Sequence, residues 1–109
     1  MKNLENSRIL LQLDYGQPLI GKLDIQDGRL ECEVIVPGTT ERSMIVVADP
    51  EKIMIEHEVD DAHIEKFKFF LIAKNAEFTN FTCAKENGML LVTAEIVNNE
   101  RETAKTWTL

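Results

Sequence analysis

The chain has 109 residues, the length of one small domain, and its 44% apolar content suits a globular core and argues against disorder. Its 12 basic and 19 acidic side chains leave a net charge of −7. That balance disfavours nucleic-acid backbones and anionic membranes, which Lys and Arg must neutralise, so a macromolecular partner is expected to present a basic protein surface.

Taken in chain order, the pattern is mostly period-2 alternation, which reads as strands. The N-terminal stretch "MKNLENSRILLQLDYG" carries no apolar signal core, so an unexported, cytoplasmic protein is expected. Within it, Ile9, Leu11 and Leu13 alternate against Leu10 and Gln12. "PLIGKLDIQ" follows from Pro18, and "QDG" at Gln26 to Gly28 is a hairpin signal, because glycine accepts the positive φ such turns need. "RLECEVIV" then sets Leu30, Cys32, Val34 and Val36 on one face, with Glu31 and Glu33 on the other.

"PGTTERS" is a loop, "MIVVA" a short inner strand, and "DPEK" a turn with Pro50 presetting φ. Residues 61–74, "DAHIEKFKFFLIAK", fit either a capped helix or a strand. On a helical wheel their apolar residues spread nearly all round. As a strand, Phe67, Phe69, Leu71 and Ala73 share a face, and aromatic enrichment favours that reading for 67–73. One helical turn near 60–66 is compatible with it.

The C-terminal third reads as a three-stranded meander. "FTNFTCA" and "MLLVTAEIV" flank the loop "KENG", and "NNE" turns the chain into "RETAKTWTL". Leu90, Val92, Ala94 and Ile96 form a buried face, with Thr93 and Glu95 turned away. Lys105 marks the last strand as an exposed edge.

The chemistry-bearing stretch is "IMIEHEVDDAHIEK", Ile53 to Lys66, which holds both histidines. On a strand over 52–59, Ile53, Ile55, His57 and Val59 point one way and Met54, Glu56 and Glu58 the other. His57 is therefore a core-edge histidine, and its neighbouring glutamates cannot converge with it on a metal. "HEVDD" places Asp61 where a zinc-protease helix needs its second histidine, and the calcium-loop pattern is missing. No metal or other cofactor is expected.

The acidic cluster reads in its plainest form as a solvated turn. In its functional form it is a recognition surface for a basic partner, built from Glu56, Glu58, Asp60, Asp61 and His63.

No nucleophile elbow or glycine-rich phosphate loop is present. Cys32 and Cys83 are isolated, outside any Cys-x-x-Cys pair, and read as free buried thiols. Cys83 with His57 or His63 is the one nucleophile–base pairing on paper. Its place beside Phe81 on an apolar strand suits a structural thiol instead. An enzymatic role is not expected.

The phenylalanines of 67–81 read as core rather than as the lining of a pocket. The fold expected is a single, mainly β domain: an antiparallel sandwich or partly open barrel of about seven or eight strands. An α+β domain with a helix at 61–74 is the alternative. The function expected is a non-enzymatic acidic interaction module, such as an inhibitor, immunity-type or adaptor protein, with a small-ligand carrier or sensor as the alternative. An edge strand would also serve as a template for a homodimer.

Overall fold

The computed structural model describes residues 8–35, 44–57 and 66–98. Among them the chain forms β1 (Ile9–Tyr15), β2 (Leu19–Gln26), β3 (Arg29–Ile35), β4 (Met44–Ala48), β5 (Lys52–His57), β6 (Phe67–Ala73), β7 (Ala76–Glu86) and β8 (Met89–Asn98). They build two four-stranded antiparallel sheets, ordered β1-β6-β5-β4 and β2-β3-β8-β7. The sandwich expected from the alternating pattern is the fold observed.

Each sheet turns one apolar face inward. From the β1 sheet come Ile53 and Ile55 of β5 and Phe67, Phe69 and Leu71 of β6, all buried. From the β2 sheet come Leu30, Cys32 and Val34 of β3, Phe78 of β7, and Leu90, Val92 and Ala94 of β8. The core thus lies mainly between β5 and β6 of one sheet and β3 and β8 of the other. Burying a side chain of this size contributes roughly 1.5–3 kcal/mol.

Both two-residue hairpins use turns with two left-handed residues, Asp27-Gly28 and Asn87-Gly88. These match the right-handed twist of the strands they join. The "KENG" loop is therefore shorter than expected, since Glu86 already pairs with Met89. The "DPEK" turn is closed by Asp49, whose Oδ1 accepts from Glu51 N (2.8 Å) and Lys52 N (2.9 Å). That turn also ties the sheets together, because Phe78 N of β7 donates to Pro50 O at 2.9 Å.

Four sequence expectations need correction. Residues 67–73 are a strand in the register expected, so the alternative with a helix over 61–74 falls; residues 60–65 lie outside the described residues. β4 is an edge strand rather than an inner one. β8 is flanked by β3 and β7 and leaves no open edge over Met89–Glu95 for the third strand read into the C-terminal meander; residues 99–109 lie outside the described residues. Thr93 is turned from the core yet buried, its hydroxyl meeting that of Thr82 across the β7–β8 ladder.

Candidate functional site

Of the residues expected to form an acidic recognition surface, Glu56 lies among the described residues; Glu58, Asp60, Asp61 and His63 do not. Glu56 sits on the outer face of the β1 sheet, where its Oε2 accepts a hydrogen bond from Tyr15 Oη at 2.7 Å. A β-bulge at the end of β1 brings the tyrosine there. Leu13 pairs with Phe69 and Tyr15 with Lys68, leaving Asp14 as the extra residue. The same face carries Phe70 with the ammonium groups of Lys52 and Lys68 at 5.5 and 5.7 Å from its ring centre. Glu56 therefore belongs to a mixed polar and aromatic sheet face.

His57 takes the opposite direction, as the alternation requires. It is completely buried and stacks on Phe67, ring centroids 5.4 Å apart. Among the described residues no group of three or more His, Cys, Asp or Glu side chains converges as a metal site would require.

The cysteines differ from each other. Cys32 is buried in the core, and burial pushes its thiol pKa up to about 11. Cys83 is exposed, which corrects its reading as a buried thiol; partial burial still raises its pKa above the ordinary value. Both lie opposite Val92, Cys32 from β3 and Cys83 from β7. Two strand spacings, about 9–10 Å, separate them, beyond the ~7 Å limit for a disulfide.

Two apolar surfaces stand out among the described residues, and sequence reading finds neither as a site. One is an open groove where the edges of the two sheets meet. Met44 and Val46 of β4, Cys83, Ala84 and Lys85 of β7, and Leu90 of β8 line about 390 Å³. Its walls are apolar apart from Lys85. Ile45 and Val47, on the other face of β4, are also exposed.

The second surface is β1. Leu10, Leu11, Leu13 and Tyr15 are 43%, 39%, 54% and 41% exposed. Ile9, Leu11 and Leu13 pair with Ala73, Leu71 and Phe69, so they continue the inner face of their sheet beyond the closed core.

The outer face of the β2 sheet carries an internally paired charged cluster beside the exposed Leu19 and Ile35. Lys22 Nζ lies 2.8 Å from Glu31 Oε1, and Arg29 Nε lies 3.6 Å from Glu31 Oε2. The hydrogen bond and charge of Lys22 hold the Glu31 carboxyl below its ordinary pKa, and Glu31 raises Lys22 in turn. Among the described residues no helix is long and apolar enough to cross a membrane.

No protein-family model matches the chain, and no curated protein matches it either. Among solved structures it is similar to Heat shock protein 16.0 from Schizosaccharomyces pombe. The two share 19% identity and a TM-score of 0.58, over 87% of this chain and 96% of that one. The likeness establishes the β-sandwich fold.

It also overturns the functional expectation. An acidic adaptor or inhibitor gives way to a chain folded like Heat shock protein 16.0, with apolar sheet edges on display. The alternative of a small-ligand carrier falls with it, since the space between the sheets is filled by Leu30, Phe69, Phe78 and their neighbours.

Proposed function

We propose that the protein is chaperone-like and holds extended apolar segments of unfolded polypeptides in the groove between β4 and β7. The observation that carries this reading is the groove itself. It is an apolar trough flanked by strand edges, with Met44, Val46 and Leu90 in its lining. An extended segment gains affinity from main-chain hydrogen bonds to a strand edge and sequence tolerance from alternate side chains entering an apolar trough. Methionine adds to that tolerance, because its unbranched, polarizable side chain adapts to differently shaped partners. The similarity to Heat shock protein 16.0 supports the reading at the level of fold.

Cys83 supplies the test, since it lines the groove while Cys32 is buried in the core. Alkylation of the native protein is followed with and without a reduced, unfolded client polypeptide. The reading predicts that the client slows modification of Cys83, and that prior modification with a bulky maleimide lowers client affinity. Client binding with an unchanged Cys83 rate and no effect of the maleimide would place the client elsewhere. No client binding at all would remove the chaperone reading.

A further inference from the structure

We propose that β1 is a homodimerisation strand. Two copies of the chain pair β1 against β1, antiparallel about a two-fold axis at Leu11, to join two four-stranded sheets into one of eight. This goes beyond the client-binding reading and uses the opposite edge of the sheet that carries β4.

Among the described residues the outer edge of β1 is open to pairing. Lys74 N donates to Arg8 O at 2.7 Å. Antiparallel alternation then places Arg8, Leu10 and Gln12 in the pairs bonded to β6 and turns the N–H and C=O groups of Ile9, Leu11 and Leu13 to the open side. Among the described residues no strand takes those groups.

The register follows from side-chain chemistry. A two-fold axis normal to the sheet keeps each residue on its own face, so opposed residue numbers must sum to an even value. With the axis at Leu11, Leu11 faces its own copy, Ile9 faces Leu13, and Leu10 faces Gln12. Arg8 then lies opposite Asp14, whose Oδ2 also lies 3.8 Å from Lys68 Nζ of its own chain, giving two symmetric charge contacts that bracket the apolar run. Moving the axis to Gln12 sets Leu10 against Asp14 and draws the bulge at Asp14 into the ladder. Pairing at Leu11 leaves that bulge at the end of the ladder. It also closes three reciprocal backbone pairs and covers leucines that are 39% and 54% exposed in the single chain.

The other three edges are less suited to symmetric pairing of two copies, whereas β1 carries its bulge and its charge only at its end, at Asp14. β2 has a bulge between Ile20 and Lys22, and Lys22 and Asp24 in its run. β7 has a bulge between Thr79 and Thr82, with Asn80 left-handed there and Lys85 and Glu86 beyond it. β4 is five residues long. In β1, Ile9 to Leu13 is straight and uncharged. A partner of different sequence would not be matched by Arg8 and Asp14 at these symmetric positions, so a second copy is the occupant that fits.

The test is the solution mass of the full chain by size-exclusion chromatography with light scattering. Wild-type protein is expected at twice the mass of one chain. Leu11→Pro deletes the N–H at the axis while sparing the bonds to β6, and should halve that mass with the circular dichroism spectrum unchanged. Arg8→Asp should weaken the dimer at low salt, and Arg8→Asp with Asp14→Arg should restore it, which a merely unfolded variant would not do. In a Cys83→Ala background, Leu11→Cys should form an intermolecular disulfide on mild oxidation, whereas Gln12→Cys should not. Wild-type protein at the mass of one chain would overturn the proposal, as would a dimer indifferent to Leu11→Pro and to the charge swap. Client protection of Cys83 is a separate readout, so the two proposals fail separately.

Discussion

His57 lies against Phe67 with ring centroids 5.4 Å apart and planes inclined by 29°, both rings inside the sandwich. The two residues also face each other across the β5–β6 ladder, so backbone register and ring stacking agree. The histidine thus works as a flat, space-filling ring at the end of the core. His57→Ala should destabilise the fold by about 2–4 kcal/mol, the cost of a cavity of this size. Urea unfolding followed by circular dichroism would measure it. A neutral substitution would mean that the ring does not pack as described.

Gly16, between β1 and β2, has φ of +76°, and a Cβ there would stand 2.1 Å from Lys66 O and 2.7 Å from Phe67 Cα. The start of β6 thus passes where any side chain would sit. Gly16→Ala should cost roughly 2–3 kcal/mol through the left-handed backbone and the clash together. Gly88→Ala, at φ of +76° with nothing within 4 Å, supplies the control for the backbone contribution alone. Equal destabilisation of the two variants would show that the close approach of β6 is not felt.

The Cys32 thiol, pushed up to about 11 by burial, gives stability a particular pH dependence. Between its ordinary value near 9.0 and about 11, the unfolded chain loses this proton while the folded chain keeps it. The contribution is therefore fully present below pH 9 and is lost as pH rises through 11. Its slope approaches roughly 1.4 kcal/mol per pH unit within that window. Denaturation midpoints from pH 7 to 11 should fall more steeply for wild-type protein than for Cys32→Ala. Parallel curves would contradict the burial of this thiol.

Thr82 and Thr93 meet through their hydroxyls across the β7–β8 ladder, beside the bulge in β7. Thr93 is buried, so its hydroxyl depends on this partner. A double-mutant cycle with Thr82→Val and Thr93→Val should return a coupling energy of about 0.5–1 kcal/mol. Additive effects would mean that the two hydroxyls do not stabilise each other.

Much of the sandwich is legible in the amino-acid sequence, because alternation survives wherever one face of a strand is buried. Ile53, Ile55 and His57 share the inner face as their spacing implies, and Phe67, Phe69 and Leu71 do so too. The Asp27-Gly28 and Asn87-Gly88 turns announce themselves by chemistry. What spacing cannot carry is the identity of neighbours. Ile9, Leu11 and Leu13 alternate like a core face, yet Leu11 and Leu13 stand exposed, because β1 is an edge strand beyond the closed core. β8 reads as a strand wherever it sits, but its pairing with β3 joins residues some sixty positions apart in the chain. The groove was hidden for the same reason, since Met44 and Cys83 come together only when the two sheets stack. The acidic stretch is conspicuous by composition, while the apolar edges carry no motif.

Suppression of aggregation is the most direct readout of client binding in the groove. A heat-stressed reporter enzyme is followed by light scattering with wild-type protein and with protein whose Cys83 carries a bulky maleimide in the groove. Wild-type protein at equimolar or higher ratio should lower the scattering, and the blocked protein, folded by circular dichroism, should lose most of this effect. Scattering unchanged by wild-type protein would contradict the chaperone-like reading. Equal suppression by the blocked protein would contradict the groove as its site.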